Sequence, residues 1–257
     1  MSSSSEILYE VREGVATITL NRPGKRNALS ATLVAELQHA LRASEDDASI
    51  RCVVVTGNGT AFCSGVDLDT PPQNTLDRNN PSSYPEVLRT MVYHSKPIIA
   101  MVNGAAFAGG LGLIGAADIV IVDATTVMSF SEVRIGVIPA VIAVVCIPKL
   151  GVHLAKKLFF TAERFNGKQA VEYGLAHDAV SRDQLRTKTM DYVEQMLKAG
   201  PNALMNCKEL TREVPTWDFE EGLKRTSAWS QEMFKSAEAM EGSNAFNEKR
   251  RPIWDQK

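Results

Sequence analysis

The 257 residues carry 28 Lys and Arg against 30 Asp and Glu, a formal net charge of −2, with 44% hydrophobic and 23% charged residues. Such a composition belongs to a globular protein with a sizeable core, folded as one large domain or one domain with a C-terminal extension. It provides no global basic field for nucleic acid or a membrane surface, and no apolar run is long enough to span a bilayer.

The opening MSSSSE lacks the cationic-then-apolar order of a signal peptide and is expected to be a disordered lead-in. Residues 7–20 predict two strands around a turn at Arg12-Glu13-Gly14, with clear alternation in VATITL. Arg22-Pro23-Gly24 breaks the chain. From Ser30 a helix is expected, with Leu33, Val34, Leu37 and Leu41 on one face. RCVVVT (51–56) is a buried strand, and the proline-rich stretch 69–83 is a loop of the length often found at functional sites.

A helix from about Pro85 stops before Pro97. A strand (IIAMV), a Gly/Ala-rich segment (103–117) and a strand (DIVIV) follow, then a short strand near 127–130. Ile138-Pro139 opens an apolar helix to about Leu150. Units of strand, strand and helix thus recur. From Gly151 the chain is mostly helical, with one short strand near 175–180 and breaks at Gly167, Gly174, Gly200-Pro201 and Pro215. The cysteines Cys52, Cys63, Cys146 and Cys207 show neither a CxxC pair nor metal-ligand spacing, so thiols in a reducing, cytoplasmic setting are expected, with no metal.

Two glycine-containing loops follow buried strands: Ala61-Phe62-Cys63-Ser64-Gly65-Val66-Asp67-Leu68, and Asn103-Gly104-Ala105-Ala106-Phe107-Ala108-Gly109-Gly110-Leu111-Gly112. Glycine lets a backbone approach a ligand closely, and a loop opening a helix presents unpaired N–H groups to an anion. One donor from each loop could form an oxyanion hole, each worth roughly 2.7–4 kcal/mol to a transition state.

The chain resembles the crotonase (enoyl-CoA hydratase/isomerase) superfamily over nearly its whole length. The resemblance rests on Asn21-Arg22-Pro23…Asn27-Ala28-Leu29, on Phe62 to Leu68, and on Lys96-Pro97-Ile98-Ile99-Ala100…Asn103-Gly104…Gly109-Gly110. Phe130-Ser131-Glu132…Gly136-Val137-Ile138-Pro139 and Ala245-Phe246-Asn247-Glu248-Lys249-Arg250 extend it, in the family's order. It implies an α/β fold, a spiral of ββα units over 1–195 holding an acyl-CoA site, with a helical region over 196–257 for trimerisation and CoA contact. Backbone N–H donors would lie at Val66 and Gly109, and Glu132 would be a catalytic carboxylate. Lys25, Arg26 and Ala28 would lie near the adenine and phosphates of coenzyme A, and Ser64, Gly65, Val66, Asp67 and Leu68 along its path. Gly110, Gly112 and Pro139 would border the acyl group. Phe246 and Lys249 would reach a neighbouring subunit's coenzyme A in a homotrimer or dimer of trimers. No cofactor is implied beyond the CoA thioester substrate.

One departure stands out. Two-carboxylate hydratases carry a second Glu where this chain has Gly112. Together with SEVRIGVIPA, that pattern looks most like the 3-methylglutaconyl-CoA hydratase-like branch. With Glu132 alone, chemistry permits hydration or dehydration of an enoyl-CoA, or a Δ3,Δ2 double-bond shift. Either needs a base of raised pKa, for which Val133, Ile135, Val137 and Ile138 could supply desolvation. A third reading is a non-catalytic acyl-CoA binder.

Other motifs carry less. Gly110-Leu-Gly112-Leu-Ile-Gly115 spells GxGxxG but stands too far from its strand for a dinucleotide site, so Gly112 and Gly115 read as packing glycines. Ser64 lies in no GxSxG elbow, which excludes a serine hydrolase of that type. His39, His94, His153 and His177 show no partner pattern. Trp217, Phe219, Leu223, Trp229 and Phe234 form a helical face for core or subunit contact.

Overall fold

A computed structural model of the protein describes residues 5–69 and 73–255. The first elements are a hairpin, β1 (Ile7–Arg12) and β2 (Val15–Leu20), paired antiparallel from Ile7↔Leu20 to Arg12↔Val15. Glu13 (φ 50°) and Gly14 (φ 79°) are both left-handed, which gives the tight turn the twist of the flanking strands. Helix α1 (Ala31–Asp46) begins where the Ser30 side chain accepts from Leu33 N–H, and it buries Leu33, Val34, Leu37 and Leu41.

The chain then repeats one device. β3 (Cys52–Gly57), β5 (Ile98–Val102) and β7 (Ile119–Asp123) lie parallel beside β2 in one sheet. Each is followed within a few residues by a three-residue strand of a second sheet: β4 (Ala61–Cys63), β6 (Ala105–Phe107) and β8 (Val127–Ser129), also parallel. Helices close the turns: α2 (Gln73–Leu76) with α3 (Tyr84–Tyr93), then α4 (Gly109–Ala116), then α5 (Ala140–Thr161). β9 (Phe165–Asn166) ends the small sheet antiparallel to β8, and β10 (Asp178–Val180) ends the large one parallel to β7, with α6 (Gly167–Glu172) between them. This is the expected spiral of ββα units.

Strand β3 is buried along its whole length, in keeping with its unbroken apolar run. Val53 and Val55 enter the main core with α1, α3, α4 and α5. Cys52 and Val54 face the second cluster, where α7 (Leu185–Leu197) contributes Leu185, Val193 and Met196. The expected boundary at residue 195 falls inside α7. Beyond it, α8 (Pro201–Glu213), α9 (Phe219–Phe234) and α10 (Ala237–Asn247) complete the helical C-terminal region.

Several expectations change. The Gly/Ala-rich segment 103–117 divides into β6 and α4. The apolar helix does end at the expected place near Leu150, at non-helical Gly151 (φ 71°, ψ 156°), but a second helical stretch follows directly to Thr161. The loop expected over 69–83 contains α2, and its residues 70–72 lie outside the described residues, as do residues 1–4 of the N-terminal lead-in. The face of α9 is no part of this chain's core: Phe219, Leu223 and Phe234 are exposed, while Trp217 and Trp229 are half-buried. Among the described residues no helix is long and apolar enough to cross a membrane.

Candidate active site

Successive turns of the spiral deliver their loops to one cleft of about 390 Å³. Ser64, Val66 and Leu68 line it from one turn, Ala108 and Gly109 from the next, and Ser131, Glu132 and Pro139 from the third. Leu76, Tyr84, Ile135, Val137, Ile138, Val141 and Ile142 supply most of the remaining wall.

The first loop is fixed by pairing with the segment before α1. Leu29 N–H donates to Gly65 O (2.8 Å) and Asp67 N–H to Leu29 O (3.2 Å). In an extended segment alternate residues turn their polar groups to opposite sides, so Val66 N–H faces away from Leu29. Gly65 has φ +93°, and a Cβ there would sit 2.9 Å from the Ala108 Cβ and 3.4 Å from the Gly109 nitrogen. Only glycine allows the two loops to meet this closely.

On the second loop, Gly109 is the first residue of α4, so its N–H has no partner within the helix. Ala108 precedes it at φ 46°, ψ −119°, a conformation that costs a side-chain-bearing residue on the order of 1–3 kcal/mol. Among the described residues neither Val66 N–H nor Gly109 N–H meets a protein acceptor. Two free donors on abutting backbones are an arrangement able to receive a developing oxyanion.

The carboxylate enters from the third turn. Phe130 is fully buried against Phe159 (ring centroids 4.7 Å apart) and Phe165 (6.2 Å). That anchor holds the next residues, Ser131 and Glu132, at the start of a short 3-10 helix (Glu132–Ile135) on the cleft wall. Glu132 Oε2 is shielded from solvent and has no hydrogen-bond partner. Desolvation raises the Glu132 pKa, and a backbone hydrogen bond offsets this only in part. A half-buried carboxylate biased toward the neutral form, facing a cleft, has the profile of a general base.

The desolvating wall differs from the expected one. Val133 does not line the cleft; Val141 and Ile142 of α5 do, while Ile135, Val137 and Ile138 are largely exposed at its mouth.

The other expected residues divide. Ser64 N–H donates to Arg26 O (3.0 Å), which brings Lys25 and Arg26 to the edge of the first loop. The exposed Lys25 ammonium pairs with Asp69 (2.7 Å). Ala28 is buried beside Leu29. Asp67 is also buried, and its carboxylate holds Arg22 (2.9 Å), tying the Asn21-Arg22-Pro23 segment to the first loop. Asn27 does similar work through Arg22 N–H, Asn58 O and Ala61 O.

Gly110 packs on Cys63, where a Cβ would fall 2.4 Å from its carbonyl oxygen. Gly112 lies behind the cleft wall. A Cβ there would be 2.2 Å from Tyr84 Oη and 2.5 Å from Ile142 Cγ2. Gly115 packs on Cys146 in the same way, at 2.8 Å. Phe246 and Lys249 are exposed and do not line this chain's cleft.

Sequence reasoning missed Tyr84, Ala108, Ile142, Val141, Leu76 and Arg134. Ala108 lies within the second glycine loop and Arg134 within SEVRIGVIPA, where neither was singled out, and only the folded path brings the six together. Among the described residues no group of His, Cys, Asp and Glu is arranged to hold a metal.

Comparison with known proteins gives the family and the fold. The family model for enoyl-CoA hydratase/isomerase matches residues 10–257. A carnitinyl-CoA dehydratase of Proteus mirabilis is 30% identical over 258 residues, covering 98% of each chain. A 2,3-dehydroadipyl-CoA hydratase of Escherichia coli is 28% identical, covering 96% of this chain and 98% of its own. A crotonase-type crystal structure from Legionella pneumophila superposes with a TM-score of 0.90 at 34% identity, covering 98% of this chain and 100% of the other.

Proposed function

We propose that this chain, which belongs to the enoyl-CoA hydratase/isomerase family, is a hydratase or dehydratase of enoyl-CoA thioesters that works with a single carboxylate. The observation that carries the reading is Glu132: a carboxylate with one shielded, unpaired oxygen in the same cleft as two free backbone N–H groups. In the hydration direction the thioester oxygen accepts from Val66 N–H and Gly109 N–H. Glu132 takes a proton from water as the water oxygen bonds to C3. The electron pair of the C2–C3 double bond moves onto the thioester as an enolate, and Glu132 returns the proton to C2. Dehydration is the reverse. The enolate charge is the quantity the two N–H groups stabilise.

Lys25, Arg26 and Ala28, with Ser64 to Leu68, are the proposed path for coenzyme A. The mostly apolar walls suit a branched acyl group. Arg134, the one cation on the wall among the described residues, supports a distal carboxylate of the 3-methylglutaconyl type, while its Nη2 also donates to Thr161 O (2.6 Å). Exposed Phe219, Leu223 and Phe234 of α9, with Phe246 of α10 and Lys249 just after it, are the proposed trimer surface and the contact to a neighbour's coenzyme A. The cytoplasm is the proposed setting, in keeping with the free thiols of all four cysteines.

The isomerase reading has one observation in its favour. Glu132 is the only carboxylate lining the cleft among the described residues, and moving a proton between C2 and C4, which carries the double bond from C3–C4 to C2–C3, needs no second group to hold water. Incubation with 2-enoyl-CoA and 3-enoyl-CoA in D2O separates the readings. Water addition to the 2-enoyl substrate supports the hydratase; interconversion without addition supports the isomerase. Binding without either reaction, unchanged by Glu132→Gln, overturns both.

A further inference from the structure

The absence of a side chain at position 112 does not leave a hole. Tyr84, the first residue of α3, projects its ring across α4, and its hydroxyl stands where a 112 side chain would begin. The residue is 1% exposed, yet it lines the cleft beside Glu132 and Gly109. Its Oη donates to Gly109 O. Its ring also packs on Gly109, where a Cβ would lie 3.7 Å from Cζ. On other sides Leu29 Cδ1 and Gly65 Cα close in, 2.8 and 3.6 Å from that same point. The residue that offers an oxyanion N–H is therefore clamped, and the polar jaw of the clamp is the Tyr84 hydroxyl.

We infer that Tyr84 is a positioning residue for the reaction: its hydroxyl occupies the space of the missing second carboxylate and fixes Gly109 so that its N–H meets the thioester oxygen. The inference rests on the functional reading above. A side chain at 112 and a tyrosine at 84 exclude one another sterically, so Gly112 and Tyr84 act as one unit. Burial, with Cys63, Cys146 and Glu132 adding to it, holds the phenol pKa well above 10, so the hydroxyl remains a donor at working pH. As a neutral donor it does this without placing a second negative charge beside Glu132.

The test is Tyr84→Phe, which keeps the ring and removes the hydroxyl. Expected are a kcat at least about 10-fold lower and a KM within about twofold of wild type, since a displaced oxyanion donor costs transition-state stabilisation more than ground-state binding. A second readout is the infrared stretch of butyryl-CoA labelled with 13C at its carbonyl, a bound thioester that cannot be hydrated. The wild-type protein should shift this band to lower frequency, and Tyr84→Phe should lose part of that shift. Gly112→Ala, which must displace the hydroxyl, should do the same and keeps the inference testable should Tyr84→Phe not fold. A folded variant with wild-type kcat and an unchanged carbonyl band overturns the inference. Glu132→Gln is assayed in parallel. If it is inactive while Tyr84→Phe is fully active, only the role of Tyr84 falls; if it is fully active, the functional reading itself falls.

Discussion

Replacing Glu132 by Gln should slow the enzyme and stabilise the fold at the same time. The carboxylate is held in the cleft with Oε2 shielded and unpartnered, and desolvation raises its pKa above the ordinary 4.5. A group whose folded pKa is raised binds its proton more tightly in the native state than in the unfolded chain, so the stability it confers is lost as pH rises through the folded pKa. Above that value the native protein carries a charge it hydrates poorly. Gln carries none. The amide still leaves an unpartnered polar atom there, so the gain is only the cost of desolvating the charge, on the order of 1 kcal/mol for a partly buried group. For a chain of this size that corresponds to a Tm increase of about 2–4 °C. The gap should close as pH falls below the folded pKa, where the wild-type residue is neutral too. Meanwhile kcat should fall by a factor of roughly 10²–10⁴, the usual contribution of a general base, or about 2.7–5.4 kcal/mol of barrier. Thermal melts of both proteins at pH 5 and pH 8, alongside steady-state rates on the active substrate, check both halves. A variant that melts at or below wild type at pH 8 refutes the claim that the carboxylate is held at a cost. A rate within twofold of wild type refutes its role as base.

Gly65→Ala should cost ~1–2 kcal/mol of stability through its left-handed φ, and kcat should fall about 10- to 100-fold as the new Cβ pushes the Val66 and Gly109 loops apart. Denaturant midpoints and rates measured together test this, and unaltered kcat would show that the loops need not touch. Asp67→Asn should destabilise the protein by about 2 kcal/mol at neutral pH, the scale of a hydrogen bond to a charged group. Burial pulls the Asp67 pKa upward, but the Arg22 hydrogen bond and Asp69 N–H outweigh it and hold it below 3.8. Its contribution is thus present above 3.8 and lost as pH falls through the lower folded value, so the two proteins should converge in acid melts. Finally, no more than one cysteine, Cys207, should react with a thiol reagent in the native protein, because burial pushes Cys52, Cys63 and Cys146 up to about 12. Rapid labelling of Cys63 would contradict the close packing between Cys63 and Gly110.

Elements with a strong period were legible in the sequence. The apolar face of α1, the alternation in β2 and the unbroken apolar run of β3 each report a burial pattern, and each formed where expected. Of the second sheet only β8 was legible, as the short strand near 127–130; β4 and β6 were not, because three residues show less than two full periods. The break in α5 was legible too: the helix passes Pro148 and yields at Gly151, where the backbone turns left-handed, beside the expected end near Leu150. Surface helices carry a related ambiguity. An apolar face such as that of α9 looks the same in sequence whether it meets its own chain or another, and only the fold shows it exposed.

The candidate site divides along a similar line. Main-chain donors at Val66 and Gly109 depend on the path of the backbone, which glycine at 65, the strained Ala108 and the pairing with Leu29 enforce. A path of that kind leaves a pattern of small residues that can be read in order along the chain. The acid–base half depends on which side chains face each other across the cleft, and that is a property of space. Gly112 read alone signals a missing carboxylate; placed against Tyr84 it marks a volume already taken. The two halves also differ in how they tolerate change. No substitution other than proline deletes a peptide N–H, and one at 84 or 112 changes only how the Gly109 N–H is held, whereas one substitution at 132 removes the proposed base. The enolate-stabilising half is therefore the part such a scaffold keeps, and the proton-handling half is where its reactions diverge. On the proposed reading Glu132, more than the loops that made the family recognisable, is where the chemistry of this particular chain is decided.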